Sequence, residues 1–159
     1  MRLQGEICSL RSVGSKDIDT ILLWENDARV RLAGTPEKAR FSRDDVEQFV
    51  RNQQCPIAQT RQQRFMIEVA DRAVGAIDLY DYDGISAGVG ILVYADADRR
   101  HGYATDALRT VIAYARTLHL LMLYAEVAPS NSASLRLFAR AGFDRTAERS
   151  DKTGFTYIL

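Results

Sequence analysis

Two apolar segments flanking a long amphipathic helix constrain this fold more than any other part of the chain. Val89 to Tyr94 reads as a strand, Ala95 to Asp98 as an acidic turn, and Arg99 to Ala104 as a basic turn around Gly102. The helix that follows places Ala104, Leu108, Val111, Ile112, Ala115 and Leu118 on one face, a wide core-facing stripe. Leu121 to Val127 is almost wholly apolar, as expected of a strand covered on both sides and parallel to the one before the helix. Together these predict a β-α-β crossover. The loop before the helix matters as much, because the first amides of a helix have no intrahelical partners and sit at the positive end of its dipole. No Ser, Thr, Asp or Asn stands just before Gly102 to cap them. A bound phosphate would satisfy those amides, so this is a candidate anion cradle.

The remaining chain supplies a sheet for that unit. Glu6 to Val13 alternates weakly, with Ile7 and Leu10 inward, and predicts a first strand. Ser15 reads as a cap for a helix from Lys16 to Asn26, and Asp27 to Phe41 as an irregular segment of the kind that lines substrate sites. Ser42-Arg43-Asp44-Asp45 resembles a capping box before a short helix carrying Val46, Phe49 and Val50, and Asn52 to Gln63 reads as a loop. Phe65 to Val69 and Val74 to Tyr80 predict a hairpin turning at Asp71-Arg72, with Val89 to Tyr94 completing an antiparallel meander. A helix from Asn131 to Ala141, a strand opening at Phe143 and a last strand near Thr153 to Leu159 follow. The expected class is α/β, with a mixed, mostly antiparallel sheet and a single domain over residues 1–159.

Charge narrows the partners. Lys plus Arg and Asp plus Glu are 21 each, so there is no cationic excess for nucleic acid or a membrane surface. No run approaches a membrane span, and Cys8 and Cys55 lack metal-ligand spacing. With no apolar leader after Met1, the expectation is a cytoplasmic protein with reduced thiols and no bound metal. A small molecule or a protein remains as partner.

Arg99-Arg100-His101-Gly102-Tyr103-Ala104 has neither the Gly-Lys-Ser/Thr of a P-loop nor the spaced glycines of a dinucleotide fold. It matches the Gln/Arg-x-x-Gly-x-Gly/Ala signature of the GNAT superfamily of acetyl-CoA-dependent N-acetyltransferases. Gly102 to Ala107 continues the resemblance, as do Val127 to Phe138 with Ala141-Gly142-Phe143, and Trp24-Glu25-Asn26-Asp27. The chain resembles the branch that contains ribosomal-protein N-terminal and spermidine acetyltransferases along essentially its whole length. The resemblance implies acetyl-CoA as co-substrate, with its pyrophosphate on the amides from His101 to Ala104 and on Arg99 and Arg100. It implies a pantetheine arm along Leu92, Val93 and Tyr94, and a cofactor contact at Asn131, which equally reads as a plain helix cap. Gly88 and Gly90 would allow close ligand approach or serve packing.

The chemistry implied is transfer of acetyl to a primary amine by direct attack on the thioester. Strand parity offers Asp78, on the face of Val74, Ala76 and Tyr80, and Glu126, beside Tyr124, as bases. Many members place a tyrosine acid where this chain has Phe138, so the resemblance leaves that role either empty or moved to Tyr94 or Tyr124. Trp24, Glu25, Tyr80 and Asp81 are candidates for the acceptor site. Asp78, Asp81 and Asp83 with Tyr80 and Tyr82 would line a cation-accepting mouth or simply a turn in water. Polyamine enzymes resemble one another in an acidic pair where this chain has Gly34-Thr35 before Pro36. The acceptor therefore stays open between a small amine, such as a polyamine or amino sugar, and a protein N-terminus. A non-catalytic acyl-CoA-binding module is the reading from another class. Members of this branch are often dimers or larger, and a homo-oligomer is left open.

Overall fold

The computed structural model describes residues 1–33, 39–149 and 151–159. Eight strands form one sheet in the order β1-β2-β3-β4-β5-β6-β8-β7. They are β1 (Arg2–Gln4), β2 (Ser9–Ser12), β3 (Gln63–Val69), β4 (Arg72–Tyr80), β5 (Ser86–Val93), β6 (Met122–Val127), β7 (Asp144–Glu148) and β8 (Thr153–Ile158). The helices are α1 (Ile18–Asn26), α2 (Ala28–Ala33), α3 (Arg43–Asn52), α4 (Ile57–Thr60), α5 (Tyr103–Thr117) and α6 (Ser132–Arg140). All neighbouring strands are antiparallel except β5 and β6, which α5 joins as a parallel crossover.

Alternation along the strands separates two apolar layers. Phe65, Ile67, Ile77, Leu79, Val89, Leu123 and Phe155 pack with Leu108, Val111 and Ile112 of α5 and Phe138 of α6. Each such fully buried side chain contributes about 1.5–3 kcal/mol of transfer free energy. On the other face Met66 and Ala76 pack with Ile21 and Trp24 of α1 and Val46 and Val50 of α3, with Leu92 and Tyr94 at the border. Ser42 and Asp45 cap α3 reciprocally, as their spacing predicts: the Asp45 amide donates to Ser42 Oγ (3.1 Å) and the Ser42 amide to Asp45 Oδ2 (2.7 Å).

Several expectations need correction, each for a tertiary reason. The strand predicted over residues 6–13 shortens to β2, and its first residues form the turn from β1, because the buried Asp106 carboxylate of α5 accepts the amides of Glu6, Ile7 and Cys8 at 2.9 Å each and turns the chain there. Leu10 is buried as expected, but Ile7 is 50 % exposed. Before α1, residues Ser15–Asp17 form a 3₁₀ turn closed by the Gly14 amide on Asp17 Oδ2 (2.9 Å), and no Ser15 cap forms. Part of the segment expected to be irregular is α2, and the expected loop from Asn52 to Gln63 contains the single turn α4. The Gly34-Thr35-Pro36 departure lies outside the described residues.

Two corrections shape the site. The β3–β4 turn is Ala70-Asp71, both at positive φ (48° and 60°), the two-residue geometry that suits a hairpin. Beyond it the register slips by one between Glu68↔Ala73 and Ile67↔Gly75, making Val74 an extra, bulged residue. Val74 therefore joins the α5-side core, opposite the layer that holds Ala76. The second correction concerns β6. It is buried on one face only, through Leu123, Ala125 and Val127, whereas Glu126 is exposed and Leu121, just before the strand, is 64 % exposed. The layer of α1 and α3 packs on β2 to β5 and does not extend over β6. Among the described residues, no helix is long and apolar enough to cross a membrane.

Candidate active site

The pairing of β5 with β6 is short. It covers Ser86↔Met122, Ala87↔Leu123 and Gly88↔Tyr124, whereas β4 pairs with β5 as far as Val93 and β8 with β6 as far as Val127. The two central strands therefore part beyond Gly88, opening a cleft in the middle of the sheet. The Tyr94 amide donates to the Val74 carbonyl (3.0 Å), so by antiparallel alternation the peptide groups of Leu92 and Gly90 also face β4. Those of Ile91 and Val93 face the cleft. Gly90 adds no side chain there, and the Tyr80 ring covers Gly88 so closely that a Cβ at Gly88 would overlap it. Of the two glycines, Gly88 serves packing and Gly90 keeps space open.

The cleft leads to the loop before α5. Arg100 (φ 64°) and Gly102 (φ 84°) both take the left-handed conformation, turning the chain so that α5 begins at Tyr103. Gly102 occupies the cap position, and no side chain caps the helix among the described residues. The first turn of α5 is consequently left without a side-chain cap there, as the sequence predicts. His101 Nε2 lies 3.0 Å from the Ala97 carbonyl oxygen and its ring stacks on Tyr103 (5.5 Å), closing the loop on itself. Arg99 Nε donates to the Val93 carbonyl (3.3 Å), and Arg100 makes no ion pair among the described residues. Asn131 caps α6, its Oδ1 accepting the Ser134 amide (3.2 Å) while its amide nitrogen stays unbonded among the described residues. Capping and a ligand contact are therefore compatible at Asn131.

The face of the sheet beside the cleft carries the polar groups. Asp78 lies opposite Gly90, and both its oxygens accept from Arg64, Oδ1 from Nε and Oδ2 from Nη2, each at 2.8 Å. Arg64 Nη1 also donates to Glu25 Oε1 (2.6 Å), and its guanidinium sits 4.9 Å above the Phe49 ring. Burial opposes the Arg64 charge, but Asp78 and then Glu25 outweigh it and raise the guanidinium pKa. Arg64 did not emerge from the sequence as a site residue. These groups line a cavity of about 130 Å³ with Trp24, Gly90 and Leu92.

Trp24 stacks on Tyr94 (5.3 Å), whose hydroxyl donates to Asp27 Oδ2 (2.8 Å). Arg29 and then Tyr94 hold the Asp27 carboxyl down at about 2, so this tie persists through the neutral range. Tyr80 meets Tyr124 edge to face (5.9 Å), and burial, reinforced by Tyr124, Glu126, Asp81 and Asp78, pushes its hydroxyl up to about 12. Glu126 accepts from the exposed Arg149 through Oε1 (2.8 Å). Asp81 is an exposed residue at φ 50° just past β4. Asp83 closes a turn by accepting the Ile85 and Ser86 amides (2.8 and 2.7 Å), so this part of the acidic run is a turn. Among the described residues, no group of three or more His, Cys, Asp or Glu could hold a metal ion.

Residues 8–144 match the model of the acetyltransferase (GNAT) domain. The chain belongs to the GNAT acetyltransferase family. Its fold is similar to that of Vibrio cholerae spermidine N-acetyltransferase, solved with CoA and spermine, at 21 % identity over 95 % of each chain and a TM-score of 0.82. It is also similar to RimL, a ribosomal L7/L12 α-N-protein acetyltransferase solved with coenzyme A, at 15 % identity over 100 % of this chain and 98 % of that one, with a TM-score of 0.85. AAC(6′)-Ib, solved with ribostamycin and coenzyme A, shares 18 % identity over 96 % of this chain and 94 % of its own, with a TM-score of 0.78. At these identities the likeness is one of fold. No curated protein matches the sequence.

Proposed function

We propose that this acetyltransferase moves an acetyl group from acetyl-CoA to a primary amine in one direct step. The observation that carries this reading is the continuity of the β5–β6 cleft with the uncapped start of α5. The loop fits a pyrophosphate, since the amides from His101 to Ala104 offer donors, the left-handed Gly102 leaves no Cβ in the cradle, and Arg99 and Arg100 add charge. The cleft-facing peptide groups of Ile91 and Val93 suit an extended amide-containing arm, paired as an added strand would be. When bound, acetyl-CoA supplies the activated acetyl thioester.

An alkylammonium of pKa ~10.4 costs roughly 4–5 kcal/mol to deprotonate near pH 7, so the site must accept a proton. Glu126 is the less committed carboxylate, with one oxygen on an exposed arginine, whereas both oxygens of Asp78 are held by Arg64. In this reading Glu126 takes the amine proton, directly or through water, and Asp78 orients Arg64. The Val93 amide, which faces the cleft, is the donor for negative charge building on the acetyl oxygen, because the Tyr94 amide is committed to Val74. Tyr94, bonded through both amide and hydroxyl, fixes the strand end. Tyr80, protonated at neutral pH, remains available to return a proton to the departing thiolate.

Thiol release from acetyl-CoA on addition of amines tests the reaction. Release is expected with at least one primary amine, and Glu126→Gln is expected to lower kcat about 100-fold with little change in the KM for acetyl-CoA. Binding of acetyl-CoA without release from any amine would instead make the chain an acyl-CoA-binding module. Unchanged turnover in Glu126→Gln would remove Glu126 as base.

A further inference from the structure

We infer that Arg64 sets the charge of the acceptor cavity and thereby selects amines that carry a single ammonium group. This rests on the transferase reading above and names its acceptor class. Three titratable side chains line the cavity among the described residues: Glu25, Asp78 and Arg64. Two carboxylates alone would favour a dication. Arg64 spans them, engaging both oxygens of Asp78 and one of Glu25, and is itself only 14 % exposed at the side chain. Its position is fixed from several sides: the β3–β4 register puts it opposite Asp78, the Phe49 ring lies under it, and its amide donates to Gln53 Oε1 (2.6 Å). The cavity is left with one net negative charge. That charge is presented at Glu25 Oε2, which accepts no hydrogen bond among the described residues.

The cavity of about 130 Å³ accommodates an aminomethyl or α-amino head beside Glu25 and Arg64. A second ammonium close by would meet the Arg64 guanidinium instead of a free carboxylate, and like charges at such range repel. The acceptor is thus an amine with neutral surroundings. Such a head belongs either to a small monoamine or to a polypeptide N-terminus without a neighbouring cation.

The experiment compares kcat/KM for n-butylamine against 1,4-diaminobutane, and for a neutral tetrapeptide against the same peptide with lysine at its second position. The better pair identifies the source of the head. In the native protein each monocation is expected to exceed its dicationic partner by about tenfold. Arg64→Gln is expected to erase that preference, mainly through KM, whereas Arg64→Lys retains it. Asp78→Asn, which leaves Glu25 and Arg64 with no net charge, is expected to raise the KM for the monocation about tenfold while the cooperative melt persists. This variant carries the test if Arg64→Gln does not fold. A purely structural Arg64 would change both members of each pair alike, so an unchanged ratio in folded Arg64→Gln, an unchanged KM in Asp78→Asn, or a native preference for the dications overturns the inference. Failure of the transferase reading looks different, since no amine would then release thiol from acetyl-CoA.

Discussion

Replacing Asp106 by alanine is expected to lower the melting temperature by roughly 6–12 °C, taking ~3 kcal/mol for three stranded amides and 2–4 °C per kcal/mol for a chain of this size. Asp106 sits in the first turn of α5 and receives the amides of Glu6, Ile7 and Cys8, so one carboxylate ties the β1–β2 turn to the helix that begins the anion cradle. Burial disfavours its charge, but those three amides and the Cys8 thiol more than compensate, and its pKa is lowered. The same contact, after burial itself, pushes the Cys8 thiol up to about 12 and keeps it unreactive at neutral pH. A carboxylate whose pKa is lower in the folded than in the unfolded chain stabilises fully above the unfolded value, ~3.9, and loses that contribution as pH falls through the folded value. The gap between native and Asp106→Ala melting temperatures should therefore be full at pH 7 and narrow below pH ~4. A gap under 2 °C, or one that does not change with pH, would show that the carboxylate does not organise this corner.

Gly102→Val is expected to weaken coenzyme A binding about 100-fold, equivalent to ~2.7 kcal/mol. The left-handed φ of 84° costs a β-branched residue about 1–3 kcal/mol. Its Cβ would stand 3.3 Å from Ile7 Cδ1, and its methyl groups would fill the space over the first-turn amides. Strain and occlusion can be separated at Gly84, which has nearly the same φ (86°) in the β4–β5 loop and nothing within 4 Å of an added Cβ. Gly84→Val should lose stability similarly and keep its affinity for coenzyme A in calorimetric titration. Equal loss of affinity in both variants would mean that Gly102 matters only for folding.

The uncapped start of α5 was legible because it is local: Gly102 and the apolar stripe of α5 lie within a few turns of one another in sequence. The β3–β4–β5 meander, the parallel crossover and the Asn131 cap were legible for the same reason. What escaped depends on contacts between distant residues. Asp106 looks like an ordinary first-turn acid, and only the arrival of Glu6 to Cys8 from the other end of the chain makes it a buried acceptor. Leu121 to Val127 reads as doubly covered because apolar content does not reveal how far the α1 and α3 layer extends. Arg64 is the clearest case. Counting back from the Val69↔Arg72 pair without the bulge would put Arg64 opposite Ile77, on the apolar face's register, and one extra residue at Val74 moves it onto Asp78. A single-residue slip thus places Arg64 against Asp78 and Glu25 in the cavity.

The central claim is that coenzyme A lies along β5 with its pyrophosphate on the start of α5. Its most direct test is titration of ¹⁵N-labelled protein with coenzyme A, followed by amide chemical shifts. The largest saturable shifts are expected at His101, Gly102, Tyr103, Ala104 and Val93, with the Asp83 turn unaffected. Saturable binding whose largest shifts fall elsewhere, leaving the amides from His101 to Ala104 unmoved, would contradict it.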